Sequence, residues 1–128
     1  MSLSKFESML KTNSIYFFDL VEFEEIIVHY LDTGKHSLAK KAVKLGLEQH
    51  PSSVDLKLLD VEILIFDNKL EKASQKLRRI QLLAPANEEV YIQKATILSK
   101  NGNHEKAIKN LKIAVSYADD KVDIWSMM

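Results

Sequence analysis

The chain has 128 residues, 46% hydrophobic and 28% charged, and its 18 basic and 18 acidic side chains balance to zero net charge. That length suits one domain with a sizeable core, and the neutral balance gives no overall pull toward nucleic acid or an anionic membrane. The absence of cysteine excludes disulfides, thiolate nucleophiles and cysteine metal sites. With three glycines and two prolines there is little room for loops, so long helices are predicted. The first ten residues lack the continuous apolar core of a signal peptide. The densest apolar run, Val61 to Phe66, contains Glu62 and is far shorter than a membrane span. Both features point to a soluble, cytoplasmic protein with no membrane partner.

Residues 4–13 place Phe6, Met9 and Leu10 on one helical face and read as a short amphipathic helix, broken at Asn13-Ser14. Ile15 to Phe18 is an apolar connector. Asp19 with Glu22 has the form of an acidic N-cap opening a helix over 20–32, whose Phe23, Ile26, Ile27 and Tyr30 fall at helical spacing. Thr33-Gly34 stops it. A second helix runs over 37–49, with Ala39 and Gly46 as small residues where another helix approaches, and Pro51 ends it. Ser52-Ser53 caps a helix over 54–67, Asp67-Asn68 turns the chain, and a helix over 71–83 stops at Ala84-Pro85. Asn87 opens a helix over 88–100, Asn101-Gly102 turns the chain again, and a helix follows over 105–117. Asp119-Asp120 is expected to cap a last helix that begins at Val122 and carries Trp125.

The same pattern recurs at a fixed shift. Gly34, Ala39, Val43, Gly46 and Pro51 reappear 34 residues later as Asn68, Ala73, Leu77, Ile80 and Pro85. A further shift of 34 gives Gly102, Ala107, Leu111 and Ala114, with Asp119 in the proline's place. A period of this size held twice means stacked helix–turn–helix units. It resembles the tetratricopeptide repeat (TPR) family, whose 34-residue unit has large residues at positions 4 and 11, an apolar one at 7, small ones at 8, 20 and 27, and proline at 32. The first unit matches with Phe23, Ile26, Tyr30, Ala39, Gly46 and Pro51, and the third with Tyr91, Ala95, Leu98, Gly102, Ala107 and Ala114. The second departs, with Lys57, Asp60 and Ile80 at positions 4, 7 and 27, so its first helix is expected to sit rotated or splayed.

The resemblance implies an all-α fold, a right-handed α-α superhelix of three units at 20–53, 54–87 and 88–121. An N-terminal capping helix and connector would occupy 1–19, and the truncated start of a fourth unit 122–128. On this reading the chain is a piece of a longer array whose open end exposes apolar surface. Trp125, Met127 and Met128 would form a self-association end for weak homo-oligomers.

No catalytic constellation is legible. His36 and His104 share position 17 and read as half-buried packing residues. Glu25 and His29, one turn apart, lack a third metal ligand, and the glycines serve turns and packing rather than a phosphate loop. The chain is therefore expected to be no enzyme and to hold no cofactor and no metal.

The TPR resemblance implies a concave groove lined by positions 2, 5, 9 and 12 of each first helix. Here these are Val21, Glu24, Val28 and Leu31; Asp55, Leu58, Glu62 and Ile65; Glu89, Ile92, Thr96 and Ser99. The set carries four carboxylates and no base. Family members that clamp a C-terminal carboxylate use lysine and asparagine at positions 5 and 9 of the first unit, where this chain has Glu24 and Val28. The second helices carry the opposite sign, with Lys40, Lys41, Lys44, Lys72, Lys76, Arg78, Arg79, Lys106, Lys109 and Lys112. The expected partner is a protein segment, basic and partly apolar, bound as a peptide or helix. No aromatics interleave the basic faces, so no nucleic-acid partner is expected. The alternatives are a purely architectural segment of a longer array, or the regulatory array of a larger protein.

Overall fold

A computed structural model describes residues 2–12 and 16–126, with side chains described for 3–12 and 16–118. Among the described residues there are helices and turns but no strand. The helices are α1 (Ser2–Thr12), α2 (Leu20–Asp32), α3 (His36–Gln49), α4 (Val54–Phe66), α5 (Leu70–Leu83), α6 (Glu88–Lys100) and α7 (His104–Ser126). The chain divides into two compact units, residues 1–60 and 61–128.

Three turns repeat one geometry at the 34-residue period. Gly34, Asn68 and Gly102 adopt left-handed backbone, with φ of +74°, +61° and +82°. Each donates its N–H to a carbonyl three residues back: Leu31 at 3.2 Å, Ile65 at 3.0 Å and Ser99 at 3.0 Å. The next residue reaches five back, Lys35 to Tyr30 at 2.8 Å, Lys69 to Leu64 at 2.9 Å and Asn103 to Leu98 at 2.8 Å. This pair of bonds is the Schellman closure, which satisfies the last carbonyls of a helix and needs a residue tolerant of positive φ. The sequence period is thus a backbone period.

Helix starts follow the capping residues. The Glu22 N–H donates to Asp19 Oδ1 at 2.9 Å and the Asp19 N–H donates to Glu22 Oε1 at 3.2 Å, a full capping box for α2. Ser53 Oγ accepts from Leu56 N–H at 3.1 Å at the head of α4, and Asn87 Oδ1 accepts from Glu89 N–H at 2.9 Å at the head of α6. The ends of α3 and α5 fall just before Pro51 and Pro85, where the X-Pro restriction stops a helix. Asp119 stands in the third proline's place, and the α7 backbone runs unbroken through Asp119 and Asp120 to Ser126. The expected break and N-cap at that point do not form. Aspartate inside a helix costs under about 1 kcal/mol relative to alanine, whereas proline costs about 3.

The core of the first unit is a run of rings. α2 buries Phe23, Ile26, Ile27 and Tyr30, and α3 buries Ala39, Ala42, Val43 and Gly46. A Cβ on Gly46 would lie 3.1 Å from Leu56 Cδ1 and 3.3 Å from the Phe23 ring, so the close approach expected there is present. α1 lays Phe6 against Phe18 and Tyr30, each at 6.1 Å between ring centres, and Phe18 meets Phe23 at 5.4 Å. The Phe6–Phe18 and Phe18–Phe23 contacts are edge-to-face and the Phe6–Tyr30 contact is tilted, and such ring contacts add to the area the rings bury. The Tyr30 hydroxyl donates to Glu7 Oε1 at 3.2 Å; burial, with the Glu7 bond and charge behind it, pushes the phenol up to about 12.

In the second unit α5 buries Ala73, Leu77 and Ile80, and α6 buries Val90, Tyr91, Gln93, Ala95 and Ile97. α6 packs on α7, which buries the small residues Ala107 and Ala114. The Tyr91 hydroxyl donates to the Pro85 carbonyl at 2.7 Å, and its ring lies 5.5 Å from that of Tyr117. α4 contributes to both units and is buried on almost every side: Leu56 and Leu58 in the first, Val61, Ile63, Leu64 and Ile65 in the second.

Candidate interaction surface

The twelve residues expected to line a groove fall into two sets, one per unit. In the first unit, burial of Phe23, Ile26, Ile27 and Tyr30 turns the opposite face of α2 outward. Val21 and Val28 are exposed there, while Glu24 and Leu31 are half-buried. Asp55, in the first turn of α4, stands beside Glu24 within hydrogen-bond reach. Loss of solvent first, then the negative charge of Asp55 and its hydrogen bond, push the Glu24 carboxyl above the ordinary carboxylate range.

The second unit repeats the arrangement with other residues. Glu89, in the first turn of α6, faces Glu62 of α4. Its side chain reaches solvent, yet crowding of the carboxyl by neighbouring atoms is the first cause that raises it. Repulsion from Glu62 adds to the rise, a hydrogen bond from Gln93 opposes it, and Glu88 adds a smaller push. The four carboxylates nominated from the repeat register are therefore brought together as two like-charged pairs, Glu24 with Asp55 and Glu62 with Glu89. Like charges held together raise the free energy of the empty surface and lower it again when a cation comes between them.

The apolar members divide differently from expectation. Val21, Val28 and Ile92 are exposed, but Leu58 and Ile65 are buried and belong to the packing of α4. They are not available to a ligand. Thr96 and Ser99 are exposed; the Thr96 hydroxyl donates back to the Ile92 carbonyl at 3.0 Å, and Ser99 Oγ lies 3.5 Å from His104 Nδ1. His36 is half-buried as expected, whereas His104 is exposed. The Trp125 side chain, Met127 and Met128, named as a self-association end, lie outside the described residues, as do Asn13, Ser14 and Ile15.

Two features have no counterpart among the residues nominated from sequence. A cleft of about 400 Å³ lies along α5 and α6, lined by Leu77, Ile97 and Leu98 together with Glu71, Arg78 and Lys94. Lys94 is already engaged, its Nζ donating to Gln81 Oε1 at 2.7 Å and lying 5.8 Å from the Tyr91 ring centre. The other is α7, where Ile108, Leu111 and Val115 are exposed along one face and Ile113 is exposed on another. Among the described residues, no three His, Asp or Glu side chains form a metal-holding group, and no helix is long and apolar enough to cross a membrane.

No protein-family model and no curated protein matches the chain. Among solved structures it is similar to one described as MamA MSR-1 C2, with a TM-score of 0.63, 17% sequence identity, and coverage of 80% of this chain and 59% of that one. That neighbour is a TPR-type helical solenoid. The fold is an all-α helical repeat of TPR type. At this identity the likeness is one of fold, and the chain spans 59% of the neighbour's length.

Proposed function

We propose that the chain is a member of the TPR family, with its units in the register read from the sequence, and that it works as a non-catalytic protein-interaction scaffold. Its ligand is a basic, partly apolar peptide or helix from another protein, met in a soluble, cytoplasmic setting. The pairing of Glu24 with Asp55 and of Glu62 with Glu89 carries this reading. Each pair holds one carboxyl, Glu24 or Glu89, that loss of solvent and then the neighbour's charge raise, and a lysine or arginine side chain relieves that charge on binding. Val21 and Val28 beside the first pair, and Ile92 beside the second, supply exposed apolar contact. Leu58 and Ile65 take no part. A peptide-array screen with Glu24→Lys/Glu62→Lys as control tests the reading. Selective capture of basic-apolar peptides, lost in the control, supports it; capture indifferent to the charge reversal contradicts it.

A further inference from the structure

The cleft along α5 and α6 uses a face of α6 that the acidic surface leaves alone. Lys94, Ile97, Leu98 and Asn101, at i, i+3, i+4 and i+7, line the cleft. Glu89, Ile92, Thr96 and Ser99 fall on the opposite side of the same helix. Across the cleft stand Glu71, Ser74, Leu77 and Arg78 of α5.

Two bases meet at one end. Lys94 Nζ donates to Gln81 Oε1 at 2.7 Å, and Gln81 stands one turn beyond Arg78, so the ammonium is anchored within a turn of the exposed Arg78. Gln81 and the Tyr91 ring beneath Lys94 are both neutral, and the ammonium keeps further N–H donors. In the repeat register the same two positions hold Lys44 and Asp60 one unit earlier, a base and an acid. In the α5–α6 cleft both are bases, and an anion from outside balances them.

The other end differs. Glu71 precedes Arg78 by two turns, roughly 10 Å along the helix, beside Ser74 and Asn101. Lys69 and Lys72 flank Glu71 in a shallower hollow that adjoins the cleft. The surroundings are therefore basic in sum, yet the Glu71 carboxylate in the wall opposes a ligand that is anionic along its whole length. Ser74 and Asn101 suit the amide groups of a peptide backbone.

We propose that the cleft binds an acidic–apolar segment of a partner protein. An Asp or Glu carboxylate of the segment lies between Arg78 and Lys94, where a guanidinium fork and an ammonium both donate to it. An adjoining apolar side chain rests on Leu77, Ile97 and Leu98. A volume of about 400 Å³ takes a few side chains of such a segment. The site is separate from the acidic surface and takes a ligand of opposite charge, so α6 joins two partners through its two faces.

A peptide-array screen of the whole chain, followed by titration of the best acidic-apolar peptide at about 0.15 M salt, tests the proposal. Three variants are compared after a check of helicity: Arg78→Glu, Ser74→Trp, which fills the cleft and leaves its charges, and Glu24→Lys/Glu62→Lys. Peptides with Asp or Glu beside Leu, Ile or Phe are expected to be captured. Binding is expected to weaken at least ten-fold in each cleft variant and to change little in Glu24→Lys/Glu62→Lys. No acidic-apolar capture overturns the proposal, as does capture that both cleft variants retain. Displacement by an equal concentration of acetate or inorganic phosphate overturns the peptide as occupant in favour of a free anion. The two readings fail separately: basic-apolar capture that Arg78→Glu retains and Glu24→Lys/Glu62→Lys loses leaves the acidic surface standing when the cleft fails.

Discussion

The side-chain amide of Gln49 holds the backbone of the connector around Phe18 from both sides. The Phe18 N–H donates to Gln49 Oε1 at 3.0 Å, and Gln49 Nε2 donates to the Tyr16 carbonyl at 2.8 Å. The neighbouring His50 Nε2–H donates to the Phe18 carbonyl at 2.8 Å. Three backbone groups that no helix satisfies are thereby paired, and the connector seats Phe18 between Phe6 and Phe23. Gln49→Ala is expected to cost about 1–3 kcal/mol in chemical denaturation, because it leaves part-buried backbone groups without partners. Loss of stability within a few tenths of a kcal/mol would mean that solvent replaces the clamp.

The three left-handed turns give a prediction of opposite signs at equivalent positions. Gly34→Ala and Gly102→Ala each place a Cβ at φ near +80° and are expected to cost about 1–2 kcal/mol. Nothing lies within 4 Å of either added Cβ, so the cost is one of backbone alone. Asn68→Gly removes the same penalty from the middle turn and is expected to stabilise by roughly 0.5 kcal/mol. Thermal unfolding of the three variants reads the signs directly, and a stabilising Gly34→Ala contradicts the turn assignment.

Much of this was legible in the sequence because turn residues, caps and small packing residues act locally and carry their own positions. Gly34, Asn68 and Gly102 mark the period, Asp19 and Glu22 mark a helix start, and Gly46 marks a close approach, each without knowledge of the rest of the fold. Three things were not legible. α4 is apolar around most of its circumference, so its periodicity could not say which face is covered, and Leu58 and Ile65 were assigned to a ligand surface when they are buried. Asp119-Asp120 has the composition of an N-cap, but a helix ends only where something stops it, and no proline or glycine stands there. Gln49 and His50 act on a connector that occurs once, so the repeat register carried no signal for them.

Burial of Glu24 and Glu89, and then the like charge beside each, makes stability depend on pH in a defined direction. Glu24 and Glu89 are raised in the folded chain, so it binds their protons more tightly than the unfolded chain does. Their contribution to stability is fully present below the unfolded carboxylate pKa and is lost as pH rises through the elevated folded values. Denaturation series at several pH values should show this fall, and Glu24→Gln/Glu89→Gln should flatten it. At neutral pH the double variant is expected to gain about 0.5 kcal/mol, the scale of exposed charge interactions. A double variant with an unchanged pH profile would remove the raised carboxyls, by burial and by repulsion, from the account.

The same protons compete with a cationic ligand. Binding of a basic-apolar peptide is expected to weaken as pH falls through the elevated carboxylate values, and to weaken with salt because exposed charges are screened over about 10 Å at 0.1 M. Titration of one array-selected peptide across pH and salt checks both. An affinity insensitive to both would assign the binding to apolar contact alone.

The central claim is that a basic-apolar ligand sits on the acidic surfaces, α2 with Asp55 in the first unit and α6 with Glu62 in the second. The most direct measurement is amide chemical-shift mapping of the ¹⁵N-labelled chain, kept dilute enough to be monomeric, on addition of an array-selected basic-apolar peptide. The account predicts that the largest shifts gather at Val21, Glu24, Val28 and Asp55, and at Glu62, Glu89 and Ile92. Shifts gathered instead on the basic faces of α3 and α5, or along the cleft beside Arg78 and Lys94, would contradict it.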